Sequence, residues 1–205
     1  MYIDMHMHEK TYSTDSFLSL EEIVSTAKSR GLDGICITDH DSIGLKEQAE
    51  HYSKVTGFPI FVGVEYYSLE GDIVAFGIDS LPKQRTDAQT FIDYVKERGG
   101  ICFSAHPFRS NNRGLKEHLD LVHGLDGIEV LNGSTSPEAN RKAHEYAKRL
   151  GLQTVGSSDC HVPEKVGRYA TYFPEQVRNV EELIEVFKTQ EVQPAVYENG
   201  AYRVV

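Results

Sequence analysis

Seven side chains able to bind a metal, His6, His8, His40, Glu65, His106, Asp159 and His161, stand where short apolar runs end. The first two close the opening octapeptide, Met1-Tyr-Ile-Asp-Met-His-Met-His8, which reads as a strand. Alternation sends Ile3, Met5 and Met7 to one face and Tyr2, Asp4, His6 and His8 to the other. Two imidazoles two residues apart on one face can reach the same ion, and neutral imidazole suits zinc, iron, manganese and nickel. A His-x-His by itself reads as readily as a tag remnant or a polar strand face. Four further segments ending in metal-type residues shift the balance toward a metal centre. The donors are His, Asp and Glu, a set that suits Zn, Mn or Fe without choosing among them. They exceed what one tetrahedral zinc takes, and their number fits two or three divalent ions with a bridging carboxylate. Two ions ~3.5–4 Å apart clamp a phosphoryl group and generate hydroxide at neutral pH.

The rest of the sequence must bring these residues together. Ser19 and Glu22 form a capping box that starts a helix, and Gly31 stops it. Gly34–Thr38 reads as a short strand ending in Asp39-His40-Asp41, and a second helix runs from about Gly44 to Thr56. Ile60–Val64 is a strand ending in Glu65, followed by a strand pair over residues 66–81 that turns at Glu70-Gly71-Asp72. Thr86 is expected to cap a third helix. Strands follow at Ile101–Ala105 and Gly127–Leu131, with a short helix between them over about Leu115–His123. Ser136-Pro137 opens the next helix and Gly151 closes it. Gln153–Gly156, Tyr169–Phe173, a helix from Asn179 to about Thr189, and a hairpin over 193–205 turning at Asn199-Gly200 complete the chain. Apolar strands alternating with amphipathic helices imply parallel βαβ units. About seven strands favour a closed or nearly closed α/β barrel, in which strand C-termini gather on one face where active sites are built. With 205 residues and no linker-like stretch, one domain over 1–205 is expected.

The formal net charge of −10 argues against non-specific nucleic-acid binding, which needs a basic surface. Cys36, Cys102 and Cys160 show no pairing pattern, and reduced thiols fit a cytoplasmic setting. No N-terminal signal pattern is present, and no apolar run approaches the ~18 residues of a membrane span.

His6-x-His8, the loop Asp15, Thr38-Asp-His-Asp41, Gly63-Val-Glu65, Ala105-His-Pro107 and Ser158-Asp-Cys-His161 occur in the order found in the polymerase and histidinol phosphatase (PHP) family, which the chain resembles from Met1 to about Phe173. The resemblance implies a distorted seven-stranded (β/α)7 barrel of TIM-barrel type. It implies that His6, His8, Glu65 and Asp159 hold one metal, that Asp15, His40 and His161 hold a second, and that Glu65 and His106 contribute to a third. Asp39 would orient the ligands beside it. One departure stands out. Many members carry a histidine where Asp72-Ile-Val74 places Val74, so the third site is short of a donor.

Arg109, three residues after His106, suits phosphate oxygens or a structural ion pair. Arg168 is a second candidate for substrate, and Asn132 either touches substrate or turns the chain. Alternation points Cys160 away from its neighbours Asp159 and His161. His51, His118, His123 and His144 fall on or beside helices and read as solvated. The function expected is a metal-dependent phosphoesterase cleaving a small phosphomonoester or nucleotide with a metal-bound hydroxide. His161 or a metal-bound water would serve as leaving-group acid. An amidohydrolase is the first alternative, since His-x-His also opens that barrel, but such chains often use a mid-chain bridging lysine where this one offers Glu65. A non-catalytic, metal-stabilised module is the second. Neither a membrane partner nor stable nucleic-acid binding is expected, and the oligomeric state is left open.

Overall fold

The computed structural model describes residues 1–205. The elements are β1 (Tyr2–Met7), α1 (Leu20–Ser29), β2 (Gly34–Ile37), α2 (Lys46–Thr56), β3 (Ile60–Val62), β4 (Val64–Tyr67), β5 (Asp72–Phe76), α3 (Ala88–Glu97) and β6 (Ile101–Ser104). They continue with β7 (Gly127–Asn132), α4 (Pro137–Leu150), β8 (Gln153–Ser157), β9 (Tyr169–Tyr172), α5 (Val180–Thr189), β10 (Gln193–Glu198) and β11 (Ala201–Val204). Two short 3-10 turns, Lys116–Asp120 and Pro163–Lys165, punctuate the loops after β6 and β8.

The expected closed seven-stranded barrel is not what forms. The strands make two mixed sheets, ordered β11-β10-β9-β1-β2-β3 and β4-β5-β6-β7-β8. The reason lies in β1, which pairs parallel with β2 from Ile3 to Met7 on one edge and, through Tyr2 and Ile3 alone, antiparallel with β9 on the other. With Tyr2 and Ile3 committed to β9, β8 cannot run alongside β1, and the two meet only at their C-terminal ends. There Met7 bridges Cys160, and the Asp159 amide donates to His6 O at 2.8 Å. On the far side, the strand expected over Ile60–Val64 breaks at Gly63. A Cβ at that position would lie 2.5 Å from Ala75 O, so only glycine lets the chain cross from β3 to β4. A single bridge, His40 to Glu65, joins the sheets there. Both bridges lie at the same end, and that end is the mouth.

Capping chemistry fixes the helices. Ser19 and Glu22 make the reciprocal capping box on α1, and Ser136 with Pro137 starts α4, which ends at Gly151 with φ 66°. The cap of α3 is Asp87 rather than Thr86, because the Asp87 carboxylate accepts the Thr90 amide while Thr86 turns to the Tyr66 hydroxyl. The turn at 116–120 replaces the longer helix expected there. The C-terminal hairpin forms as expected, with Asn199 and Gly200 at positive φ.

Three apolar layers result. Ile3, Met5, Phe61, Val74 and Phe103 pack between the sheets, and Phe187 of α5 closes the floor. Met7, Ile35 and Ile37 pack outward against α1 and α2, and Val64, Ile73 and Ile128 against α3 and α4. Met5 and Met7 thus enter different layers. The strict two-face alternation expected of β1 fails at the register shift between Asp4 and Met7. No helix is long and apolar enough to cross a membrane.

Candidate metal centre at the mouth

The irregular end of β1 brings both of its histidines to the mouth. The Nε2 atoms of His6 and His8 lie 3.0 Å apart, and neither residue has solvent exposure. Their other ring nitrogens are tied back. His6 Nδ1 faces Glu129 Oε1 at 3.2 Å. His8 Nδ1 faces Ser13 Oγ at 3.2 Å, and the Ser13 hydroxyl donates to Asp39 Oδ1 at 2.7 Å. A carboxylate or hydroxyl behind a histidine fixes its ring and aims the far lone pair. Here both far lone pairs aim at the same space.

Around them stand the other residues. Glu65 comes from β4, His40 follows β2, His106 follows β6, and Asp159 and His161 follow β8. Asp159 Oδ1 lies 3.3 Å from His8 Nε2 and 3.7 Å from His6 Nε2. Glu65 presents Oε1 to His106 at 2.8 Å and Oε2 to His40 at 2.7 Å, so its two oxygens serve different imidazoles. Asp15 Oδ2 sits 3.3 Å from His40 Nε2 and 3.5 Å from His161 Nε2. His106 and Asp159 hold positive φ, 28° and 47°. Such strained backbone persists only where the surroundings over-determine it.

Charge is packed tightly here. Burial works against an imidazolium at His6, yet the carboxylates of Asp159, Glu65 and Glu129 prevail and raise its pKa well above the ordinary value. At His8 burial wins, and the pKa falls to about 4. Burial would raise Glu65, but His6, His106 and His40 hold it well below the usual carboxylate range. At Asp72, burial and the neighbouring Glu65 charge push the pKa up to about 7. The buried atoms His106 Nδ1 and Asp72 Oδ1 have no hydrogen-bond partner. Convergent lone pairs, crowded carboxylates and orphaned polar atoms fit cations. Four sets of donor atoms, His6/His8/Glu65, His6/His106/Asp159, His8/His40/His161 and Glu65/Asp72/His106, each cluster within 4.8 Å.

All eight residues expected as ligands therefore meet at one place, with Asp15 at its solvent edge. The structure separates the others. Arg109 lines the cavity, bonding Asp159, Asn132 Oδ1 at 2.9 Å and Thr135 Oγ1 at 3.2 Å. Asn132 is fully buried, its amide donating to Glu129 and Asp159, so it supports the wall rather than facing substrate. Arg168 is exposed away from the cavity, against Gly133 O and the Tyr169 ring. Cys160 is buried in the outer layer, and His51, His118, His123 and His144 are exposed.

Three residues escaped the sequence reading. Glu129 lies inside a strand, where an inward carboxylate looks like an outward one; it holds His6, the His106 amide at 2.6 Å, Asn132 and Ser157. Asp72 stands two residues before Val74 and one step nearer the mouth, 3.7 Å from His106 Nε2. The expected shortage of a donor beside Glu65 and His106 is thus met by Asp72, while Val74 packs in the central core. Arg113 donates from Nε to Asp72 Oδ2 at 2.6 Å and lines the cavity. The parity shared by Asp72 and Val74 was the available signal. The cavity has a volume of about 370 Å³ and is lined by Asp15, His40, Glu65, Asp72, Asp159 and His161 with Arg109, Asn111 and Arg113.

A family model described as PHP-associated matches residues 137–192. An uncharacterised protein of Methanocaldococcus jannaschii is 29% identical over 143 residues, covering 64% of this chain and 82% of the relative. A 3′,5′-nucleoside bisphosphate phosphatase of Chromobacterium violaceum is 37% identical over 81 residues, 38% of this chain and 28% of that protein. Among solved structures, a protein of Bifidobacterium adolescentis provisionally described as a metal-dependent phosphoesterase superposes with a TM-score of 0.67 at 20% identity, covering 90% of this chain and 94% of that one. A lesion-specific endonuclease of Pyrococcus furiosus gives 0.71 at 18% identity, covering 94% of this chain and 57% of that one. The PHP-associated match over residues 137–192 and the shared fold of these solved structures fit the resemblance to the PHP family that the ordered motifs at the mouth carry.

Proposed function

We propose that the chain is a metal-dependent phosphoesterase whose single domain spans residues 1–205 and which acts on a small phosphomonoester or nucleotide. One observation carries this reading. The Nε2 atoms of His6 and His8 converge at 3.0 Å with oxygens of Glu65 and Asp159 at 3.3–3.7 Å from them. His6, His8, Glu65 and Asp159 would hold one divalent ion, whether zinc, manganese or iron. Asp15, His40 and His161 would hold a second with His8 beside them, and Glu65, Asp72 and His106 a third. When bound, such ions supply positive charge to phosphoryl oxygens and lower the pKa of water.

The chain's own residues do the rest. Glu65, with one oxygen toward His106 and the other toward His40, is placed to bridge. Asn132 and Thr135 hold the Arg109 fork on the cavity wall, where a guanidinium matches phosphate oxygens in a bidentate geometry. His161, partly exposed at the rim beside Asp15, would serve the second ion, and its Nε2 cannot then also donate a proton to the leaving oxygen. Asp39 acts through Ser13 to orient His8. Arg168 is not among the residues that line the cavity and is left out of these roles. The cavity wall carries no lysine, which leaves the bridging position of the amidohydrolase alternative to Glu65.

The test is phosphate release from a panel of phosphomonoesters, with metal content measured on the same sample. Release that is lost on chelation and restored by metal is expected. A fully loaded protein that releases phosphate from none of them would overturn the reading. Lesion-bearing and single-stranded DNA belong in the panel, and preferential cleavage of either would replace the small-ester substrate.

A further inference from the structure

Beside the metal centre lies a second cavity, of about 320 Å³, lined by Asp41, Tyr66, Tyr67, Leu81, Pro82, Lys83, Gln84 and Arg85. Strand alternation explains its position. On β4, Val64 and Tyr66 turn outward into the layer against α3, so Glu65 and Tyr67 share the inner face. Tyr67 is thus the next inward residue beyond Glu65, and it pairs across the ladder with Asp72.

Two guanidinium carbons, those of Arg113 and Arg85, each lie 4.1 Å from the centroid of the Tyr67 ring. They cannot be farther apart than twice that distance. Arg113 lines the cavity at the metal centre, where it pairs with Asp72 at 2.6 Å and lies 4.0 Å from Glu65, and it reaches the second cavity only through the Tyr67 ring. Arg85 and Lys83 are exposed and make no ion pair with any carboxylate. In a chain of net charge −10, Lys83 and Arg85 are two neighbouring cations that no carboxylate pairs. Asp41, the one acidic residue lining the cavity, already accepts the Tyr67 amide at 2.9 Å.

The loop bearing the free cations is held in place. The Thr86 amide donates to the Tyr66 hydroxyl at 2.8 Å, and the Leu69 amide donates to Thr86 O at 3.0 Å. Tyr66 is itself stacked on Phe91, with ring centroids 3.9 Å apart. With two guanidinium groups against it, the Tyr67 ring positions cations rather than serving as a bare platform for an aromatic group.

We infer that Arg85 and Arg113, which flank Tyr67, and Lys83, which lines the same cavity as Arg85, form a second anion subsite that binds a second negatively charged group of the substrate. The inference rests on the phosphoesterase reading above and narrows it to esters carrying two anionic groups, one at the metal centre and one at this rim. Paired guanidinium and ammonium donors suit a phosphate. Because Lys83 and Arg85 are exposed, their contribution should weaken as salt screens it.

The test compares butane-1,4-diol bisphosphate with n-butyl phosphate, using the metal-loaded protein and the double variant Lys83→Ala/Arg85→Ala. Both esters release a primary alcohol of the same chain length, and the bisphosphate's alcohol carries the second phosphate. The unsubstituted protein should prefer the bisphosphate in kcat/KM. The double variant should lose about tenfold of that preference through KM, with Arg85→Lys retaining part of it and added salt eroding it in the unsubstituted protein. An unchanged preference in a folded double variant would overturn the subsite. If the loaded protein hydrolyses neither ester, the phosphoesterase reading is decided by the wider panel above. The subsite is then judged by calorimetric binding of the bisphosphate, where a Kd about tenfold weaker in the double variant supports it and an equal Kd overturns it.

Discussion

The inner and outer parts of the candidate metal centre are built differently. His6, His8, Glu65, His106 and Asp159 are each at most 1% exposed, and most are held from behind by Glu129, Ser13 or Arg109. Asp15, His40 and His161 stand at the rim, with side-chain exposures of 59%, 28% and 23%. The inner residues sit on strands or immediately after them, whereas Asp15 hangs from the loop between β1 and α1. The contrast suggests a division of labour. On the reading proposed above, the buried, braced set would hold an ion tightly because its donors lose little freedom on binding, while the exposed rim set would exchange its ion more readily.

Removing an inner ligand should break this arrangement most severely. His8→Ala is expected to lose its inner ion by elemental analysis. Its activity should fall by more than about 100-fold, since even changes behind the ligands cost about 10–100-fold in metal affinity or activity. Activity within a few-fold of the unsubstituted protein would remove β1 from the site. Next in size is the brace itself. Glu129→Gln keeps the shape but removes the charge facing His6 Nδ1, and it should weaken metal affinity by about 10–100-fold. Competition with a chelator of known affinity reads this directly, and unchanged affinity would mean Glu129 serves packing alone.

His161→Ala sharpens the comparison from the other side. It should lose the outer ion while keeping the inner one, with activity reduced by about tenfold or more. Loss of both ions together would show one cooperative centre rather than two. Chelation of the unsubstituted protein should lower stability by about 2.7 kcal/mol if metal was present at a hundredfold excess over its Kd. For a chain of this size that corresponds to roughly 5–11 °C in Tm, readable by calorimetry. The smallest effect belongs to His144→Ala. That exposed histidine of α4 should change stability by no more than about 0.5 kcal/mol and leave kinetics untouched.

Much of this was legible in the chain. Capping at Ser19 and Ser136, the glycine stop at Gly151 and the hairpin at Asn199-Gly200 are local chemistry, decided within a few residues, and they form as read. The ligands were legible for a related reason. Histidines and carboxylates placed just after apolar strands have few uses other than a shared site at the strand ends. Val74 and Asp72 show the limit of that reasoning. Both lie on one face of β5, but which of them reaches the mouth depends on the register of β5 against β4 and β6.

The sequence by itself determined the identity of the donors, the strand-helix rhythm and the order of the motifs, because residue type and period are properties of the chain. Only the tertiary structure decided that β9 takes the edge of β1 and leaves two sheets where a barrel was expected. It also decided that Glu129, an ordinary alternation residue within β7, stands behind His6, that Asn132 is sealed into the wall, and that Arg113 and Arg85 meet at Tyr67. These are pairings between residues distant in sequence. They are set by edge competition between strands and by which side chains are shut away from water, and neither quantity exists until the sheets have closed on one another.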